Sequence, residues 1–210
     1  KKDNLEIHSH EINSLEIEKK TFNIKKKIYE INNARIYTDL VENVAIIKDN
    51  KLIGDTSFQQ IDGELKDAKY NKVLSEGTPR FVKKIDGSVV SLIQGVSGTN
   101  YFHFLFDIIS RLKLFSQIIN FTEVDYFYIQ GREKWQINLL REFDIPETKI
   151  LDCNEYRHIA ASKILAVDHP WYELGYFQHE IKNMPEWIIY FLRTKFINLG
   201  KKIECKKKIF

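Results

Sequence analysis

The sequence predicts an α/β fold that opens with an antiparallel β-meander. Three observations carry this expectation. β-rich runs cluster early, at Ala34–Tyr37 and Val44–Ile47, and the turn Asp49-Asn50-Lys51 leads from them into Leu52-Ile53-Gly54. From Val89 onward, strand-like and helix-like segments alternate, the pattern of a parallel sheet with crossover helices. The last periodic segment, Pro185 to Leu199, has proline in its first turn and Gly200 just past its end, the expected polarity for a helix.

Taken in order, residues 1–30 are charge-rich with scattered Leu5, Ile7, Ile12, Leu15 and Ile17, and are expected to form a charged extension, either a frayed helix or a short strand. Residues 31–200 are expected to form one α/β domain, with the meander spanning 34–94. Within it, residues 62–79 are polar, with Gly63, Gly77 and Pro79, and predict loop. Arg80–Ile85 and Ser88–Gln94 flank Asp86-Gly87, which predicts a hairpin because Asp-Gly supplies the positive φ angles of a type I′ turn. A glycine turn at Gly95–Gly98 then opens a helix from about Thr99 to Ile119. Val124–Gln130 is a strand, Glu133–Phe143 a helix stopped before Pro146, and Lys149–Leu151 and Ile159–Val167 are strands. No internal repeat is found.

Composition narrows the class. Of the 210 residues, 43% are hydrophobic and 29% charged, enough to build a core and to exclude global disorder. A net charge of +3 is too mild to indicate a nucleic-acid binder, and no apolar run reaches the roughly 18 residues of a membrane span. Cys153 and Cys205 provide neither a disulfide framework nor a zinc set, which points to a reducing compartment. The single methionine is Met184 and the chain opens on Lys1, so it is read as a piece of a longer protein, with 201–210 leading into a further domain.

The most informative stretch runs from Gly95 to Arg111. A strand enters a glycine turn and then a helix, the place where open α/β sheets bind ligands. The turn is neither a dinucleotide fingerprint nor a P-loop. On a helical wheel Asn100, His103, Asp107 and Arg111 fall at about 0°, 300°, 340° and 20°. They form one polar stripe in which His103–Asp107 and Asp107–Arg111 are i,i+4 neighbours. Such a stripe is either a solvated amphipathic face or a site. Lys and Glu are absent from it, and Leu114 and Ile118 continue the same side, which favours a covered position.

Asn100-Tyr101-Phe102-His103, with Asp107 and Arg111-Leu112, resembles the Asn-Tyr-x-His-Trp…Asp…Pro-Arg-Leu signature of glycosyltransferase family 61, whose bacterial members are associated with capsular polysaccharide biosynthesis. The meander near Ala34–Gly54, Tyr126–Ile129, Leu139-Leu140, Ile145-Pro146, Lys149-Ile150, His169-Pro170 and the Pro185–Phe196 segment with Arg193 extend the likeness over about residues 30–210. Phe104 stands where Trp is common and Ser110 where Pro is common, departures that bear on the subgroup. By this resemblance the chain is the Rossmann-like N-terminal half of a two-domain, B-fold, inverting and metal-independent glycosyltransferase. It implies a glycan acceptor on this half, a nucleotide sugar bound through a missing C-terminal domain, no cofactor, and a cytoplasmic location at the inner face of the membrane. It also implies Asp107 as the base that takes the acceptor hydroxyl proton, with His103 as its partner or substitute. Asn100 would hold sugar hydroxyls and Arg111 would orient Asp107.

A second candidate region is the aromatic loop Asp168-His169-Pro170-Trp171-Tyr172 through Tyr176–His179. His169 and Trp171 are its candidate substrate contacts, since rings stack on sugar faces while polar groups bond hydroxyls. The alternative is a loop folded onto the core by its aromatics. No Cys or tight carboxylate spacing joins His169 to His179, so no metal site is expected. The runs Lys25–Lys27, Lys201-Lys202 and Lys206–Lys208 predict solvated faces, with peripheral contact to an anionic membrane as a further use. Trp135 and Trp187 are expected in the core, and Cys153 in the core or a loop. The non-enzymatic alternative is an α/β module that binds carbohydrate or protein without chemistry.

Overall fold

The computed structural model describes residues 7–40, 42–62, 64–78, 81–93, 100–172 and 184–201. Among them, ten strands form a single mixed sheet. These are β1 (Ile7–Ile17), β2 (Lys20–Thr38), β3 (Asn43–Lys48), β4 (Lys51–Leu52), β5 (Phe58–Ile61), β6 (Glu64–Lys66), β7 (Lys83–Ser91), β8 (Tyr126–Ile129), β9 (Ile150–Asp152) and β10 (His158–Val167). The main path is β6-β5-β3-β2-β10-β7-β8-β9, with β1 on β2 and β4 on β3. Strands β1 to β6 pair antiparallel, and β7 to β10 pair parallel with one another. The junction is β10, parallel to β7 on one side and antiparallel to β2 on the other. The fold is therefore mixed α/β with few helices. They are α1 (Val73–Glu76), α2 (Tyr101–His103), α3 (Ser110–Phe115), α4 (Lys134–Arg141) and α5 (Glu186–Lys201), with a π-helical segment, Phe104–Ile109, joining α2 to α3.

The meander near Ala34–Gly54 is present as β2, β3 and β4. Asp49 (φ 49°) and Asn50 (φ 58°) turn the chain between β3 and β4, a left-handed conformation that short polar side chains tolerate. In residues 7–30 the strand alternative holds, but not as a short strand. Ile7–Ile17 and Lys20–Thr38 make a long hairpin, so the boundary placed at residue 30 falls inside β2. Its charged residues hid the pattern: Ile12, Leu15, Ile17 and Phe22 are buried between exposed Lys, Glu and Asn. The hairpin expected at Asp86-Gly87 is also absent. Both residues lie within β7, where the β7–β10 register slips by one residue between Ala161 and Lys163. Gly87 (φ 149°) is required there, because a Cβ would stand 2.7 Å from Asp125 Oδ2. The stretch 62–79, read as loop, holds β6 and α1, and α5 runs through Gly200 to Lys201 rather than ending before it. The turn Gly95–Gly98, the segment Tyr176–His179 and the lysines beyond 201 lie outside the described residues.

The sheet is curled, and each face carries its own core. On the outer face Val90, Leu92, Phe127 and Ile129 meet Phe104, Ile108, Leu112 and Phe115 of the π–α3 run, Leu140 of α4, and Trp187 and Phe191 of α5. On the concave face Tyr29, Ile31, Ile36, Val44 and Phe58 share one cluster with Val89, Tyr128, Ile159 and Ile164. The curl explains a short connection: residues 153–157 alone carry the chain from β9, at one edge, into central β10. Tyr128 Oη, reaching inward, donates to Tyr156 O in that turn. Asn33 (φ 51°) kinks β2 opposite Ser162 of β10, and the inward positions change from Tyr29 and Ile31 to Ala34 and Ile36 across it. Trp187 and Cys153 are buried, and Trp135 packs against the outer core.

Candidate functional site

The carboxyl ends of the adjacent parallel strands β7 and β10 converge on the helical run 101–115. Asn100 starts that run as its N-cap, its Oδ1 accepting from the His103 backbone N–H at 3.2 Å. The next turn widens into the π-helical segment, where Ser110 Oγ donates to Leu105 O, five residues back. Asp107 lies in this segment and is 1% exposed. Burial of a carboxylate is tolerated only where donors surround it. Here His103 Nδ1 stands 2.9 Å from Oδ2, and the Trp171 indole N–H donates to Oδ1 at 2.7 Å. A carboxylate only accepts, so the proton on His103 sits on Nδ1 and leaves Nε2 as the basic nitrogen. The His103 side chain keeps 31% of its exposure. The hydrogen bond to Asp107 raises its pKa above the ordinary 6.5, with burial opposing and the carboxylate charge adding to the rise.

His169 approaches Asp107 from the other side, with Nε2 3.8 Å from Oδ1, beyond hydrogen-bond distance. Its Nδ1 accepts from the backbone N–H groups of Tyr172 (2.8 Å) and Trp171 (3.3 Å), which places its proton on Nε2. Burial, together with the positive charges of Arg111 and Lys26, pushes its pKa well below 6.5, so it is neutral at physiological pH. Its ring stacks on Tyr172 at 4.3 Å. Arg111 is buried and donates to Ile93 O at 2.6 Å, tying α3 to the end of β7. Burial lowers its pKa to about 10, which leaves it charged.

Arg111, His169 and Tyr172 also line a cavity of about 420 Å³ at the same strand ends. Its floor is apolar, from Val44, Phe58, Leu65, Ile93 and Ala166, and its polar wall includes Lys25, Lys26, Asp55, Ser91 and Asp168. Lys26 Nζ donates to His169 O at 2.7 Å, and the Lys27 backbone N–H donates to Asp168 Oδ2 at 2.8 Å. Tyr29 Oη donates to Asp55. Burial raises the Asp168 carboxyl to about 6 against the opposing Lys27 hydrogen bond, and its Oδ1 is buried without a hydrogen-bond partner.

The structure brings His103, Asp107, Trp171 and His169 together around one carboxylate, and carries Arg111 and His169 on into the cavity wall. Asn100 acts as a helix cap, exposed, and His103 and Asp107 stand outside the cavity lining. Trp171 is 7% exposed, and its indole N–H is committed to Asp107. The run Lys25–Lys27, read as a solvated face, instead borders the cavity. The signal for this was its interleaving with Ile24 and Ile28, which makes the run part of a strand. Asp55 could not be found from spacing, since its partner Tyr29 lies 26 residues away, whereas Tyr172 belongs to the aromatic loop that the sequence singled out. Among the described residues no group of three or more His, Cys, Asp or Glu could hold a metal ion, and no helix is long and apolar enough to cross a membrane. Comparison with protein-family models, with curated proteins and with solved structures finds no match for this chain.

Proposed function

We propose that this chain is the acceptor-side, Rossmann-like part of an inverting B-fold glycosyltransferase that builds a surface glycan on the cytoplasmic side of the membrane. The observation that carries the reading is the buried Asp107 carboxylate holding the partly exposed His103 ring at 2.9 Å. On this reading the two roles suggested by the sequence are exchanged. Asp107, at 1% exposure and already accepting from Trp171, positions the ring and stabilises the imidazolium. His103 Nε2 takes the acceptor hydroxyl proton as the nucleotide leaves from the opposite face of the donor sugar. The resemblance of Asn100–His103, Asp107 and Arg111 to the family 61 signature supplies the reaction class, with the nucleotide sugar bound by a further domain.

A second reading, a carbohydrate-binding module without chemistry, is favoured by one observation: the cavity lining does not include His103 or Asp107. Sugar transfer from nucleotide sugars, measured on the open reading frame that contains this chain, separates the two. With His103 as base, His103→Ala lowers the rate about 100- to 10,000-fold without unfolding the protein. Asp107→Asn moves the acidic limb of the pH–rate profile downward, because the bond that raises the His103 pKa is weakened. Transfer at the parent rate by folded His103→Ala sinks the enzymatic assignment of this dyad.

A further inference from the structure

We propose that His169 is a positioning residue for His103: through the turn of residues 169–172 it holds the Trp171 indole on the Asp107 carboxylate, and acid releases that hold. The inference concerns the placing of Asp107 and stands whether or not the dyad transfers sugar.

The segment is fastened to β2 as far as residue 169. The Asp168 N–H donates to Lys27 O, the Lys27 N–H donates to Asp168 Oδ2, and Lys26 Nζ donates to His169 O. Pro170 then has no N–H to give, and among the described residues no backbone–backbone bond holds Trp171 or Tyr172. Their N–H groups turn to His169 Nδ1 instead, at 3.3 and 2.8 Å. Nδ1 stands as far along its side chain as the Oδ1 of Asn, so the ring holds the next residues as an Asx turn would. The turn delivers the indole. Trp171 is buried, and its Nε1–H meets Asp107 Oδ1 at 2.7 Å, while the other carboxylate oxygen holds His103 at 2.9 Å.

This hold needs a neutral ring. A proton on Nδ1 would make it a donor facing two donors. Around the ring stand Arg111, His103 and Asp107 from the helical run, Lys26 from β2, Asp55 on the shared cavity wall, and Asp168 and Tyr172 in its own segment. Burial, with the charges of Arg111, Lys26 and His103, keeps that proton off until the pH is well below 6.5.

The test follows the Trp171 indole N–H resonance of the full chain by NMR, assigned by its loss in Trp171→Phe, with Trp135 and Trp187 as references. At about pH 7 it is expected at a hydrogen-bonded position in the parent and in His169→Asn, which keeps an acceptor that does not titrate. In His169→Ala it is expected at the position of an unbonded indole. When the folded parent is acidified, the resonance should leave its bonded position below pH 6.5, and in His169→Asn it should stay. If His169→Ala does not fold, as judged by circular dichroism, the acid comparison of parent and His169→Asn decides. The measurement needs no enzymatic activity, so its failure is separate from failure of the transfer assay. The proposal is overturned by a bonded indole in folded His169→Ala, by a parent resonance that stays bonded until the chain unfolds, or by an acid transition that is unchanged in His169→Asn.

Discussion

His103 and His169 approach the same carboxylate from two parts of the molecule, and their electrostatic states are opposite. His103 comes from the start of the helical run, partly exposed, bonded to Asp107, with its pKa raised. His169 comes from the end of β10, buried, flanked by Arg111 and Lys26, with its pKa lowered. Proximity to Asp107 alone does not decide the outcome. The difference of 2.9 Å against 3.8 Å turns one contact into a hydrogen bond, and burial among cations then overrides the attraction on the other side. One histidine is held on the carboxylate, partly exposed. The other is a neutral acceptor that fixes the backbone of residues 171–172.

The largest effect that would break this contrast is removal of the shared carboxylate. Asp107→Ala leaves the Trp171 N–H and His103 Nδ1–H without their acceptor in a buried place, and is expected to cost about 3–5 kcal/mol in urea unfolding. It should also return the His103 pKa, followed by NMR, toward 6.5 or below, because burial then acts without the opposing bond. An unchanged His103 titration would mean that Asp107 does not set it.

Trp171→Phe is milder. It keeps an aromatic body but removes one donor to the carboxylate, with an expected loss of about 1.5–3 kcal/mol and a buried Asp107 oxygen left wanting. Retained stability would show that the indole N–H is not needed to hold the carboxylate in place.

The pH dependence of stability separates the two histidines by sign. His169 has a lowered folded pKa, so its contribution is complete above about pH 6.5 and is lost as pH falls from there toward the folded value. His103 has a raised folded pKa, so its contribution is complete below about pH 6.5 and is lost as pH rises through the folded value. Each slope is limited to about 1.4 kcal/mol per pH unit. Urea unfolding from pH 5 to 8 should therefore show His169→Asn flattening the acid side and His103→Gln flattening the alkaline side. Both variants flattening the same side would overturn the assignment. The smallest effect is expected for Asn100→Ala, about 1 kcal/mol in thermal unfolding, since Asn100 caps the run that presents His103.

What could be read from the chain alone was local. The meander turn at Asp49-Asn50, the helices behind Glu133 and Pro185, and β8 and β10 follow from short-range chemistry and periodicity. The His103–Asp107 contact follows from i,i+4 spacing and survives the π-helical segment between them. Tertiary structure decided the rest. Asp86-Gly87 has the chemistry of a hairpin turn, but pairing with β10 before it, at Lys83–Ile85, and after it, at Ser88–Val90, holds β7 extended through it. Strand β1 emerges from a charged segment because alternate residues gain burial only once β2 is beside them. The meeting of Trp171 with Asp107 spans 64 residues, and that of Lys26 with His169 spans 143. Nothing local encodes such distances. They exist because a curled sheet brings the ends of β7 and β10 beside the start of β2, and burial there decides which side chain stays charged.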